Sequence, residues 1–329
     1  IGTHFDAEGA TDLIAAFMLK VAANAVFGRG SKTQAITVGG ADHRGRDCCN
    51  TLTLCFLNAC DRTRIGDPHL FVRWHPGLDE GVRRRAFEML ADGVSMPLLI
   101  NDGPTAQGFV DAGLAPEDAW AYTVIGCNEL GVPGRSAESA TATSGQIQHL
   151  ELLNQVLLGH PDPDAIGEMS QLLTALEERM RTHAYAARGR AEGNRQRRMA
   201  RVPTPFTSAL MRGCIARGAD MQQGMEVHLP GLYERGLTNA ANALAAIEQV
   251  VFEERALSMR ALVEAMAGDF EDSSLQQRLL AAPKWGNDDP QVDRWALELV
   301  EMRERVLDEV DAAFGSAPHV VCHVVRSLH

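Results

Sequence analysis

The chain has 329 residues, 45% of them hydrophobic and 22% charged, with 43 acidic against 31 basic side chains and a net charge of −12. This length is enough for a sizeable core, and the balance is that of an ordinary globular protein. The acidic excess counts against nucleic acid as the main partner. No apolar run approaches the ~18 residues of a membrane span, and no secretory signal opens the chain. Seven cysteines stand at 48, 49, 55, 60, 127, 214 and 322. An odd count without a C-x-x-C spacing favours reduced thiols in a cytoplasm over a disulfide framework or zinc ribbon. The chain starts without Met and stops within an apolar alternating run, so it reads as a piece of a longer polypeptide.

In chain order, Ala35 to Val38 reads as a strand, followed by a Gly39-Gly40 turn and an apolar helix from about Asp47 to Cys60. Leu70 to Trp74 is the next strand, then a charged amphipathic helix from Asp79 to Leu90. Pro97 to Ile100 is a third strand and, after a helical stretch, Tyr122 to Ile125 a fourth. Strand, helix, strand at this spacing is the mark of parallel pairing, and nearly all-apolar strands fit a sheet buried on both faces. The second half is mostly helical. Helices are expected over Gln148 to Leu158, Asp164 to Arg201, Pro205 to Ala216, Thr238 to Val251, Ser258 to Met266 and Asp293 to Phe314, before a last strand from His319 to Arg326. There is no repeat or linker, and one continuous α/β domain with helical elaboration is the simplest account.

Parallel α/β folds bind ligands beyond the carboxyl ends of their strands. The first strand leads into Gly39-Gly40-Ala41-Asp42-His43, the second closes with Arg73 and His75, the third with Asn101 and Asp102, and the fourth with Gly126-Cys127-Asn128-Glu129. The strand bodies themselves are apolar except for Thr37, Arg73 and Thr123. Cys127 is the sharpest candidate. A carboxylate two residues away raises a thiol's pKa, which is wrong for a thiolate nucleophile. The pair makes chemical sense if the cysteine carries hydrogen atoms and Glu129 moves protons. A lone cysteine is otherwise most often a small buried hydrophobe.

The run Tyr122-Thr-Val-Ile-Gly-Cys-Asn-Glu129 resembles the cysteine loop of glycyl radical enzymes, the family of pyruvate formate-lyase and its dehydratase relatives. Further segments are similar to the same family in the same order: Thr37-Val-Gly-Gly-Ala-Asp-His-Arg-Gly-Arg-Asp47, Leu70-Phe-Val-Arg-Trp-His75, Pro203 to Leu210 with Gly213 to Asp220, and Ala282-Pro-Lys-Trp-Gly-Asn-Asp-Asp289. The resemblance implies an α/β fold: a ten-stranded barrel of two antiparallel half-barrels, each of parallel strands, ringed by helices. This chain would be a central portion of that one barrel domain (residues 1–329), without the upstream helical region or the C-terminal glycyl radical loop. It implies no bound cofactor but a post-translational glycyl radical elsewhere in the full-length protein. It further implies a radical SAM activating enzyme as partner, a homodimer, and a small-molecule substrate. Carried over, Cys127 is the thiyl radical site and Glu129 the acid/base. Arg73, His75, Asn101, Asp102 and Asn128 are the expected substrate-binding residues, and no metal is expected. The family's usual Pro after the Glu is Leu130 here, and Gly103 stands where many relatives carry Glu, so a different substrate pocket is implied. The adjacent cysteines of pyruvate formate-lyase are absent at 127, which disfavours thiolytic cleavage of a keto acid.

The function so implied is a radical lyase, most simply a dehydratase of a small polar substrate. The alternatives are an arylacetate-type decarboxylase of the same family and a non-catalytic barrel portion. Weaker signals read as structural. Gly28 to Thr33 lacks the phosphate-loop spacing, and alternation splits His319 and His323 from Cys322. The arginines at 188, 190, 195, 197, 198 and 201 read as a solvated helix face, and His160 as a capping or surface residue.

Overall fold

Short, nearly all-apolar strands set between amphipathic helices make a parallel sheet with a helical coat, and the computed structural model has this arrangement. It describes residues 6–27, 34–126, 128–136, 145–227, 231–315 and 320–323. The elements run α1 (Ala7–Phe27), β1 (Ala35–Gly39), α2 (Thr51–Thr63), β2 (His69–Trp74), α3 (Glu80–Ala91), β3 (Leu98–Asn101), α4 (Asp102–Asp111), α5 (Pro116–Ala119), β4 (Thr123–Ile125) and β5 (Glu129–Gly131). They continue with β6 (Gln146–Gln148), α6 (His149–Gly159), a 3₁₀ turn at Pro163–Ala165, α7 (Met169–Arg201), α8 (Pro205–Ala209), α9 (Cys214–Arg217) and α10 (Met221–Gly224). The last are β7 (Gly231–Arg235), α11 (Leu237–Ile247) with a π-helical extension Glu248–Glu253, α12 (Met259–Ala267), α13 (Ser273–Ala281), α14 (Pro290–Phe314) and β8 (Val320–His323).

Two compact units divide the chain. The first takes residues 1–139 and 203–228, the second 140–202 and 229–329. In the first unit, β1, β2 and β3 form a parallel sheet in that order, with Thr37 beside Phe71 and Gly39 beside Arg73. Ile36, Val38, Leu70, Val72 and Trp74 face one way, into a cluster with Met18 of α1, Leu57 of α2, and Val82 and Met89 of α3. Alternation sends Thr37, Phe71 and Arg73 to the opposite face.

The second unit has its own parallel sheet, β6-β7-β8, and a larger core in which Ile147 and Leu232 meet α6, α7, α11, α12 and α14. A charged group is buried in it. Glu234 on β7 receives Arg303 Nη1 of α14 at 2.6 Å, and His149 Nε2 of α6 lies 2.6 Å from the same oxygen. His149 is fully buried and Glu234 only 2% exposed.

Several boundaries differ from the sequence reading for identifiable reasons. α2 starts at Thr51 rather than Asp47 because Asn50 caps it reciprocally with Thr53, while Asp47 bridges to Ala41. The helix expected over Pro205 to Ala216 is broken into α8 and α9 at Gly213, whose φ is +87° and where a Cβ would stand 2.6 Å from the Gly224 carbonyl oxygen. The fourth strand exists but is not parallel to the others. β4 turns back into β5 and pairs with it antiparallel. β3 is not buried on both faces: Leu98 and Leu99 are about one-third exposed, at 36% and 37%. Of the six arginines expected on a solvated face of α7, Arg188 is buried and stacks 5.4 Å from the Phe314 ring centre. The expected strand at the end of the chain is present as β8, while Gly28 to Thr33 and His319 lie outside the described residues.

Candidate active site

The β4–β5 hairpin places Glu129 opposite Ile125, with Gly126 at φ +60° beginning the turn between them. A left-handed backbone there suits glycine. Space requires it too, since a Cβ on Gly126 would meet Glu129 Oε2 at 3.0 Å. The Glu129 side chain folds back over this turn, is buried, and accepts the Asn128 N–H at 3.0 Å. Cys127 lies outside the described residues; Gly126 and Asn128, its neighbours in sequence, are both in the turn.

Beneath the segment leading into this hairpin lies a polar network. Arg73 Nε donates to Asp102 Oδ1 at 2.7 Å, and Asp102 Oδ2 accepts the Ala41 N–H at 2.7 Å. Arg73 Nη1 donates to the Tyr122 carbonyl at 3.3 Å and Nη2 to the Ala41 carbonyl at 3.2 Å. The guanidinium also sits 4.2 Å from the centre of the Tyr122 ring. Asp102 is fully buried and Arg73 nearly so. Burial, reinforced by the Asp102 charge, pushes the Tyr122 phenol above its ordinary range. Thr37 Oγ1 accepts the Val124 N–H at 3.1 Å and lies 3.0 Å from Thr123 Oγ1.

The remaining expected residues stand apart from this network. His75 is buried with Nε2 3.2 Å from Asp47 Oδ1. Asp47 also accepts the backbone N–H of Cys49 and of Asp79. Partial desolvation works against its ionisation, yet these hydrogen bonds hold its carboxyl below the usual value. Asn101 is exposed and precedes α4 without capping it by its side chain; its carbonyl accepts the Thr105 hydroxyl. The structure thus brings together Arg73 with Asp102, and Asn128 with Glu129, while His75 and Asn101 have other neighbours. Thr37 was visible in the sequence as a polar residue in an apolar strand, but nothing there named its partner. Among the described residues no cluster of three or more His, Cys, Asp and Glu could hold a metal ion.

A parallel α/β sheet, backed by helices and carrying a Gly-Cys-x-Glu hairpin, is the arrangement expected of a glycyl radical enzyme barrel. Residues 4–326 match the model of the pyruvate formate lyase-like family, and the chain belongs to that family. It is 30% identical over 290 residues to the probable dehydratase YbiW of Escherichia coli strain K12, covering 79% of this chain and 35% of that protein. It is 26% identical over 286 residues to the (2S)-3-sulfopropanediol dehydratase of Klebsiella oxytoca, covering 81% and 34%. The glycerol-bound B12-independent glycerol dehydratase of Clostridium butyricum superposes with a TM-score of 0.81 at 24% identity, over 97% of this chain and 43% of that one. That likeness establishes the expected barrel fold class, of which this chain covers part. The chain spans about a third of the length of the curated relatives it matches.

Proposed function

We propose that this chain supplies the hydrogen-carrying cysteine and the proton-moving carboxylate of a radical lyase that dehydrates a small hydroxylated compound, and that it forms the central portion of one barrel. The observation that carries the reading is Glu129. Its carboxylate is buried, folded over the glycine of a Gly-Cys-x-Glu turn, and held by the N–H of the residue after Cys127.

A negative charge close to a thiol keeps the proton on sulfur, and S–H is the form that gives and takes hydrogen atoms. In the full-length protein a glycyl radical would supply the one-electron oxidation that removes the Cys127 hydrogen. Cys127 then takes a hydrogen atom from a carbon bearing a hydroxyl. This makes that hydroxyl acidic, and Glu129 accepts its proton. The neighbouring C–O bond breaks, the departing hydroxide takes the proton from Glu129 to leave as water, and Cys127 returns its hydrogen atom to the product radical. General acid/base groups of this kind contribute roughly a hundredfold to ten-thousandfold.

His75, Asn101 and Asn128 are the residues proposed to meet the substrate, and of these Asn128 is the one that stands beside Glu129. Arg73 and Asp102 complete the proposed substrate-binding set; Arg73 uses three of its five N–H groups on Asp102 and on the Tyr122 and Ala41 carbonyls, which leaves two for a ligand. A radical SAM activating enzyme, a homodimeric assembly and a cytoplasmic location complete the proposal. Among the described residues no helix is long and apolar enough to cross a membrane.

The test uses the full-length protein, activated without oxygen and offered glycerol and (2S)-3-sulfopropanediol as probes. Cys127→Ser should abolish turnover, because an O–H bond is too strong for thermoneutral hydrogen relay. Glu129→Gln should retain the electron paramagnetic resonance signal of the activated enzyme and lose about a hundredfold or more in rate. Full activity in Glu129→Gln would remove the dehydratase reading, and full activity in Cys127→Ser would remove the radical mechanism.

A further inference from the structure

We propose that Thr37, acting with the Arg73–Asp102 pair, is a positioning residue that sets the height and angle of the β4–β5 hairpin; this rests on reading that hairpin as the reacting one. β1 is an outer strand of its sheet, yet β4 is not added to it as a fourth ladder strand and pairs with β5 instead. The hairpin is therefore fastened by side chains. Thr37 Oγ1, on β1, takes the Val124 N–H at 3.1 Å. Arg73, on β2, holds the Tyr122 carbonyl at 3.3 Å and stacks on its ring. Asp102, immediately after β3, fixes the guanidinium and ties it to the Ala41 N–H.

Two strands of the sheet, β1 and β2, thus each send one polar side chain to Tyr122–Val124, which ends three residues before Cys127, and Asp102 at the start of α4 braces the second of them. The surrounding sequence makes room for this device. A Cβ on Gly40 would stand 2.6 Å from Arg73 Nε, so the Gly39-Gly40 turn is what admits the guanidinium. The threonine in the otherwise apolar run Ala35-Ile36-Thr37-Val38 is explained as well. Valine would occupy the same volume but leave the Val124 N–H without an acceptor. A reacting group displaced by about 1 Å can lose on the order of a hundredfold in rate, so fastening of this kind acts on catalysis without touching substrate.

The experiment compares Thr37→Val, Thr37→Ser and Arg73→Lys in the full-length protein. Amide hydrogen exchange is followed by mass spectrometry over residues 120–131, and turnover is measured with glycerol and (2S)-3-sulfopropanediol. Thr37→Val should speed exchange in that segment about tenfold, with α2, α3 and the melting temperature unchanged, and Thr37→Ser should restore it. Arg73→Lys should also loosen the segment, since one ammonium cannot reach Asp102, Tyr122 and Ala41 together. For whichever diol is turned over, kcat in Thr37→Val should fall about tenfold to a hundredfold with KM nearly constant. Unchanged exchange in Thr37→Val, no rescue by Thr37→Ser, loosening spread over the whole sheet with a lowered melting temperature, or a raised KM at constant kcat would each overturn the proposal. Cys127→Ser and Glu129→Gln run alongside keep the two readings separate. If these keep full turnover while the exchange results hold, the fastening stands and the site assignment falls; if they are inactive and Thr37→Val exchanges like the parent, only the fastening falls.

Discussion

Replacing Glu234 by Ala isolates the energetics of the second unit's buried charges. Glu234 is 2% exposed, and one carboxylate oxygen serves both Arg303 and His149 at 2.6 Å. Removing one partner of a buried ion pair costs about 3–5 kcal/mol, because the remaining charge is left in a poorly polarisable medium. Arg303 retains Glu304, whose carboxylate, though 54% exposed and partly screened, still compensates the stranded charge, so the lower half of that range is expected. About 3 kcal/mol corresponds to roughly two decades in the opening equilibrium. Native-state hydrogen exchange of the β7 amides in the full-length protein reads this directly, as a protection factor lowered about a hundredfold. Glu234→Gln keeps the volume and one acceptor and should lose clearly less. Protection within a factor of two of the parent in Glu234→Ala would show that the pair contributes nothing net, and the reasoning would fail.

Gly126→Ala should cost about 1–2 kcal/mol for the left-handed backbone and push the Glu129 carboxylate aside, so turnover should fall well beyond any loss in folded protein, measured by activity against circular dichroism. Iodoacetamide at pH 8 should modify exposed Cys48 well before Cys49: burial, with Asp47 beside it, pushes the Cys49 thiol up to about 12, leaving about one part in ten thousand as thiolate, and peptide mapping gives the order. Although desolvation pulls the other way, hydrogen bonds from Thr204, Gln222 and Ser208 hold the Asp220 carboxyl below its usual value. Its stabilisation is therefore complete above that usual value and is lost as pH falls through the lowered one. Exchange over residues 203–224 should accelerate below about pH 4 in the parent and be far less pH-dependent in Asp220→Asn.

What the sequence revealed followed the strength of its local signals. β2 and α3 were legible to within a residue because the continuous apolar run Leu70-Phe-Val and the Asp79 cap are unambiguous. α1, β6, β7 and α13 were not. β7 hides because a glutamate takes a core position where alternation calls for an apolar residue, and β6 is only three residues long. β4 was found but its pairing was not, since strand direction is decided by the left-handed Gly126. That same turn puts Glu129 in a strand rather than on the extended loop its spacing suggested. Arg73 and Asp102 stood out as polar residues at strand ends. Their partners are the backbone groups of Ala41 and Tyr122, and backbone groups leave no trace in residue identity.

The two units are interleaved along the chain, and this bears on how the protein is made. The first unit closes only when Val227 pairs with Ser136 and the Arg212 N–H finds the Gly134 carbonyl, contacts that span a loop of about 80–90 residues. During synthesis the sheet β1-β2-β3 emerges before α6 and the whole of α7, and the segment that completes its unit follows them. The growing chain must therefore hold an unfinished first unit while the opening third of the second is already present. A ribosome stalled as α7 is completed, before residue 203 is added, would display this intermediate, with the underside of the hairpin made and the segment that closes the unit still untranslated.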